Sequence, residues 1–288
     1  MFDARARWGA RRTRHLLDAL HTVALLFFLF VFLAPLWIMW VSSLKANEFQ
    51  LLAEMNTWRV FIPSRPSLQN YVDVFHRMPF GRFLFNSTFI VSNIVIWGLL
   101  INSMAGYALA RLHWAGRAAV LALIVSLIII PFEGVAVPLL LIVNRLGWVE
   151  SYQVQIVPFI AHPFSIYLFY QFFIGIPRDF DEAALVDGAS RFRIYWNIIL
   201  PLSRPVLATV AILQFLEYWG AFLWPLMVTR GFDYRPLTVG MQTFFGQWPR
   251  EWGDIMAFAT MMTVPTLVIF VIFQRWFIQS VASAGVKG

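Results

Sequence analysis

The chain has 288 residues, of which 60% are hydrophobic, 17% aromatic and only 13% charged, with a mean hydropathy of +0.69. A soluble domain of this length carries about a quarter charged residues, so this composition suits a bilayer better than water. Cysteine is absent, which excludes disulfides and thiolate metal sites, and the net charge of +7 lies in short loops beside apolar runs, a topogenic pattern and not a nucleic-acid face.

A spanning helix needs about 20 mainly apolar residues. Six stretches supply them: Leu20–Val41, Asn86–Leu109, Ala118–Val143, Gln153–Phe173, Pro205–Val228 and Ile255–Ile278. The basic stretch "RARWGARRTRHLL" before the first resembles a signal-peptide start. The apolar run behind it is too long for one and ends in no small-residue cleavage site, so it is expected to stay as an anchor. One membrane domain over 20–280 follows a cytoplasmic N-terminal segment, 1–19, and precedes a cytoplasmic tail, 281–288.

With the N-terminus inside, Arg5, Arg7, Arg11, Arg12 and Arg14 are cytoplasmic, as are Arg111, Arg117, Arg178, Arg191, Arg193, Arg204, Arg275 and Lys287. That is more than half of the 22 basic residues, the bias expected of cytoplasmic loops. Ser42–Phe85 and Thr229–Asp254 then face outward, and their Pro, Gly and aromatic residues predict ordered loops.

The third stretch contains "PFEGVAVP", with Pro131 and Pro138 at its ends, and Pro158, Pro163, Pro225 and Pro265 fall in other spans. Proline removes a backbone donor and clashes with the preceding turn, so each can kink or break its helix. Glu133 and Glu217 are the intramembrane anomalies, because a carboxylate in lipid is costly. Glu133 either faces a hydrated pathway or sits at the outer interface. Glu217, beside the belt-like "YWGAFLW", favours the interface reading.

Between the fourth and fifth spans, residues 178–204 read like soluble protein. Asp179 with Glu182 three residues on resembles a capping box. Gly188 can end the helix in a left-handed cap, Ser190 can cap a second helix, "RFRIYWNII", and Pro201 can stop it. Ala184 and Gly188 share a helix face, and small side chains there let a partner backbone approach.

Three families of function meet obstacles. There is no His-Glu-x-x-His or Gly-x-Ser-x-Gly, and His15, His21, His76, His113 and His162 show no ligand spacing. Lys occurs only at Lys45 and Lys287, and neither ends a Gly-x-x-x-x-Gly-Lys-Ser/Thr loop, so any ATP must be bound by another subunit. A channel or ion-coupled carrier needs charged residues along its path, and only Glu133 is placed for that.

The whole loop pattern is more specific. It runs Glu182-Ala183-Ala184, three residues, Gly188, nine residues, then Ile198-x-Leu200-Pro201. This resembles the EAA signature of ABC-importer permeases. "DGAS" at Asp187–Ser190, "NSTF" at Asn86, "GYALAR" at Gly106–Arg111, "IPFEGVAVPLLLIVNRLGW", "FLWPLMV" and "FQRWF" with "AGVKG" resemble the carbohydrate-uptake, maltose-type, MalG-like permeases. One departure is visible: Gly220 stands after Trp219 where the family usually has Asn.

The resemblance implies an all-α type I importer permease of six spans, in the bacterial inner membrane with both termini cytoplasmic. It is not itself an enzyme; ATP and Mg belong to a separate nucleotide-binding subunit. A second permease forms a heterodimer with it, and an extracytoplasmic solute-binding protein delivers a sugar, an oligosaccharide or related polyol, or alternatively a glycerol-3-phosphate-type substrate. Coupling to the ATPase falls to Glu182, Ala183, Ala184, Asp187 and Gly188. The tail residues Gly285, Val286, Lys287 and Gly288 are a second contact. Glu133, with Trp97, Tyr107 and Trp219 as sugar-stacking aromatics, are the pathway candidates.

Overall fold

The structure, a computed structural model, describes residues 3–285 and the side chains of residues 17–273. Regular structure among them is helical. In chain order the helices are α1 (Asp3–Ser43), α2 (Glu48–Glu54), α3 (Gln69–Arg77), α4 (Phe80–Arg111), α5 (Arg117–Ile128), α6 (Phe132–Arg145), α7 (Tyr152–Ile156) and α8 (Pro163–Ile174). They continue with α9 (Asp179–Val186), α10 (Arg191–Ile194), α11 (Leu200–Leu202), α12 (Arg204–Trp219), α13 (Leu223–Val228), α14 (Leu237–Phe245) and α15 (Trp252–Gly285). The chain divides into two compact units, Met1–Arg77 with Gln247–Met261, and Met78–Gly246 with Met262–Gly288.

In the first unit, Leu17–Ser43 of α1 has a mean hydropathy of 2.5 and no buried residue in its apolar window. A helix that is apolar all round and uncovered by its own chain calls for lipid or a partner. The segment after it is held by polar groups. Lys45, 1% exposed, pairs with Glu54 at 3.3 Å, and Glu54 also accepts from Gln50 Nε2 at 3.2 Å, from Ser64 N at 3.3 Å and from the Ser64 hydroxyl. Asn70 Nδ2 donates to the carbonyls of Ser43 and Lys45, both at 2.8 Å. Arg77 joins α3 to the start of α15 through Asp254 at 2.6 Å. The expected ordered loop is therefore a small folded unit with a buried ion pair at its centre.

In the second unit, α4 is the central helix. Along it Phe83, Ser87, Val91 and Ile94, then Asn102, Ser103, Gly106 and Ala110, are buried. α8 comes close at Gly106, where an added Cβ would lie 2.6 Å from the Phe169 Cβ and 3.0 Å from the Tyr170 nitrogen. One core cluster holds Tyr107, Phe169, Phe173, Tyr195 and Val210; another holds Val143, Val154, Trp224 and Val228.

The six expected spans appear as four helical stretches long and apolar enough to cross, Leu17–Ser43, Phe80–Arg111, Tyr152–Ile174 and Trp252–Phe273, plus two bent pairs. Arg117–Ile128 and Phe132–Arg145 meet at 105°, and Arg191–Leu202 and Arg204–Trp219 at 77°. Three stretches read as continuous are thus interrupted. Pro131 stands in extended conformation as the N-cap of α6. Pro158 lies in a 3₁₀ turn, Val157–Phe159, and Pro163 restarts the helix as α8. The fifth stretch stops at Trp219 and resumes at Leu223.

Two predictions follow from this packing. Burial pushes the Glu54 carboxyl up, but hydrogen bonds from Ser64, Lys45 and Gln50 outweigh it and hold the group below its ordinary 4.5. Such a group adds stability above its unfolded pKa, lost as pH falls through the folded value. Amides between Leu44 and Ser67 should thus exchange slowly at neutral pH and open as the pH drops below 4.5. Glu54→Gln should remove that acid limb while weakening the segment at neutral pH; hydrogen exchange reads both. Gly106→Val should overpack the α4–α8 contact by about 1–3 kcal/mol and lower the melting temperature in detergent, whereas Gly81→Ala, with open space around it, should not.

Candidate functional site

Residues 178–204 form two short helices joined by a sharp turn. α9 starts without a side-chain cap: Arg178 is the N-cap, and Asp179 lies inside the first turn. The capping-box expectation is corrected accordingly, and the three acids Asp179, Asp181 and Glu182 act instead on the helix's positive end. Gly188, at φ +78, closes the helix. Ala189 N donates to Ala184 O at 2.9 Å and Gly188 N to Leu185 O at 3.0 Å, the paired bonds of a Schellman stop. Ser190 caps α10 through Arg193 N at 3.3 Å. Pro201 does not end the second helix. It has no N–H for the carbonyl of Asn197, and the helix widens into a π turn at Tyr195–Ile199 and runs on to Leu202 before bending.

The end of α4 grips this loop with one row of side chains. Ser103, Tyr107 and Arg111 are spaced by four and share a face. Ser103 Oγ lies 2.8 Å from the Tyr195 hydroxyl. Tyr107 donates to Arg191 O at 3.2 Å. Arg111 pairs with Asp181 at 3.0 Å and donates to Ile176 O at 2.6 Å. Arg111 and Asp181 are 3% and 7% exposed, so the pair is closed to solvent.

This grip decides which face of α9 points out. Ala184 packs inward, in the cluster of Tyr107, Phe169 and Ile194, so the expected outward face shared by Ala184 and Gly188 is corrected. The exposed residues of α9 and its stop include Glu182, Ala183, Val186, Asp187 and Gly188, together with Asp179, Phe180 and Leu185, and Val186 is 88% exposed. Sequence reasoning missed Val186 and Asp181. No local signal marked Asp181, because the direction in which α9 faces is set by tertiary packing.

A second feature lies where the spans break. A cavity of about 610 Å³ is bounded by Ile128 and Ile130 before Pro131, by Pro158, Phe159 and His162 between α7 and α8, and by Ala221 and Phe222 between α12 and α13. Non-helical backbone at membrane depth persists only where protein or water covers it, and three breaks share one cavity here. Glu133, in the first turn of α6, and Glu217 are on its wall. His162 Nε2 lies 3.6 Å from Glu217, while its Nδ1 meets Ser165 Oγ at 2.9 Å, which takes Gln214 Nε2 at 3.2 Å. Gln155, 2% exposed, also lines the cavity.

Of the aromatic pathway candidates, none borders this cavity. Trp97 is half-exposed on α4, Tyr107 is used in gripping the loop, and Trp219 stacks on Phe215 and donates to Met262 O at 3.2 Å. The aromatic wall is made by Phe132, Phe159, Tyr218 and Trp224. Composition could not separate them from the many other membrane aromatics. Gly220 caps α12 at φ −86. Gly285 ends α15, and Val286, Lys287 and Gly288 lie outside the described residues.

Comparison with known proteins agrees with this architecture. Residues 94–283 match the family described as "Binding-protein-dependent transport system inner membrane component". The arabinooligosaccharides transport system permease protein AraQ of Halalkalibacterium halodurans is 34% identical over 96% of this chain and 99% of its own length. The sulfoquinovosyl glycerol transport system permease protein SmoH of Agrobacterium fabrum is 33% identical over 88% of each chain. A chain of a bacterial ABC transporter involved in the import of the acidic polysaccharide alginate superposes with a TM-score of 0.81, at 22% identity, covering 92% of this chain and 98% of that one. The protein belongs to the inner-membrane components of binding-protein-dependent transport systems.

The Arg111–Asp181 pair supplies the test of this geometry. Removing one member leaves a buried charge and costs about 3–5 kcal/mol. Asp181→Ala should therefore lower thermal stability and loosen proteolytic protection of the loop. The double variant Arg111→Met/Asp181→Leu should recover most of the loss, because an apolar pair leaves no charge unmatched.

Proposed function

We propose that this chain is one of two permease subunits of an ATP-driven importer that carries a saccharide across the bacterial cytoplasmic membrane. The observation that carries the proposal is a short, outward-facing helix, α9, closed by a glycine stop and fastened by a buried ion pair to the longest core helix of the second unit. Family membership supports import with a binding protein, and the names of the similar permeases support a saccharide cargo.

In this mechanism a separate nucleotide-binding subunit receives Glu182, Ala183, Val186, Asp187 and Gly188 in a cleft. ATP belongs to that subunit, and this chain performs no bond chemistry. When two nucleotide-binding subunits close on ATP, the docked α9 moves with them. Only differential contacts between two states can transmit such a preference. Ser103, Tyr107 and Arg111 pass the displacement to α4, which borders the cavity through Ser87, Val91 and Ile94. The helix breaks around the cavity are the places where the bundle can open without breaking intact helix. The second permease completes the pathway, and an extracytoplasmic binding protein supplies the solute. The arginine cluster near the N-terminus supports cytoplasmic termini, and with them a further contact between the tail Gly285–Gly288 and the ATPase.

Reconstitution with the companion subunits tests this reading. Uptake into proteoliposomes should require ATP and the binding protein and ignore ion gradients; uptake driven by an ion gradient would instead identify a secondary carrier. Gly188→Arg is the sharper probe. A Cβ at Gly188 meets open space, so the cost is the left-handed backbone, about 1–2 kcal/mol, plus bulk on the docking face. Assembly and ATP hydrolysis should persist while uptake falls at least tenfold. Gly188→Asn, which tolerates that backbone, should retain most uptake. Normal uptake by Gly188→Arg would contradict the coupling role.

A further inference from the structure

The similar permeases are named for neutral and for acidic cargo alike, so membership of the family leaves the charge of the solute open. The cavity at the helix breaks bears on it. We propose that this cavity is a solute subsite of this chain that accepts hydroxyl-rich saccharides, uncharged or amine-bearing, and discriminates against acidic ones; the inference rests on the importer reading above and deepens it.

The volume, about 610 Å³, falls within the roughly 300–1,000 Å³ of small-molecule sites. Its polar groups are mainly acceptors. Glu133 and Glu217 present carboxylates, and no Lys or Arg is found among the described residues that line the space. The one basic side chain there is His162, already 3.6 Å from Glu217.

A third acceptor is buried. Gln155 is 2% exposed and donates through Nε2 to Tyr234 O at 2.8 Å, while its Oε1 has no partner. An unmet buried acceptor is costly, and a solute hydroxyl or ammonium is the complementary donor. Phe159, Tyr218 and Trp224 supply flat apolar walls for the carbon face of a sugar ring.

An acidic saccharide fares badly on each count. It would face a wall with two carboxylates, Glu133 exposed and Glu217 half-exposed, and no fixed cation, so its charge would be repelled at close range. A neutral sugar brings donors for the acceptors. An amino sugar adds an ammonium that the carboxylates attract.

The test uses the complete transporter in lipid nanodiscs and three disaccharide probes of one size: N,N′-diacetylchitobiose, its deacetylated diamine and digalacturonate. Calorimetric titration should show the neutral and diamine probes binding at least tenfold more tightly than the diacid. Glu133→Gln/Glu217→Gln, which keeps both side-chain shapes, should erase the advantage of the diamine over the neutral probe and narrow the gap to the diacid. Glu217→Lys should move the preference toward the diacid. Equal binding of neutral and acidic probes, or no binding of any, or unchanged discrimination in both variants, would overturn the proposal. ATP-dependent uptake by the same preparation separates the two readings. Uptake without discrimination removes only the charge selection; absence of ATP-dependent uptake for any sugar removes the importer reading itself.

Discussion

The buried pair of Arg111 and Asp181 constrains everything on this side of the molecule. Two charges removed from water are stable only beside each other, so the start of α9 cannot leave the end of α4 without exposing both. Tyr107 and Ser103, one and two turns earlier, repeat the attachment with neutral groups. In the proposed mechanism the result is a lever: a small exposed helix fixed at one end of a 32-residue helix whose other half borders a cavity. Ala184, turned inward, adds apolar packing to the polar row.

The cavity obeys a different constraint. Backbone groups freed in the middle of a membrane need protein, water or solute, and Pro131, Pro158 with Pro163, and the Gly220–Phe222 segment free them at one place. Breaks of this kind in a bundle are also where it can hinge. The carboxylates of Glu133 and Glu217, costly in lipid, face the same space. In the proposed mechanism, motion and recognition share a location because both need non-helical, hydrated backbone, while aromatics that pack within the bundle, such as Trp219, lie elsewhere.

Much of the architecture was legible in sequence for physical reasons. Hydropathy located six spans because a bilayer demands length and apolarity, and Gly188 was readable as a left-handed stop because few other residues tolerate that backbone. Ser190 was readable as a cap because its hydroxyl can accept a first-turn backbone N–H. Tertiary choices were not legible. Ala184 could face out or in at no local cost, and the Arg111–Asp181 pair together with packing on Phe169 and Tyr107 decides it. Asp179 looked like a cap, yet the helix begins one residue earlier, and Pro201 was absorbed by a π turn rather than stopping the chain. Prolines signalled breaks, but which aromatics bordered the shared cavity depended on where seven helices, α4–α8, α12 and α13, converge.

The proposed transmission of force from α9 to α4 is open to a direct measurement, helped by a chain without cysteine. Spin labels at Val186 and Met104, both exposed, report the distance between the docking helix and the central helix in the assembled transporter. If the two helices move as one body, the distance distribution stays narrow and unshifted when ATP is added, and broadens in Asp181→Ala. A large ATP-induced change in the unmodified loop would mean that α9 swings free of α4, and the lever would not exist.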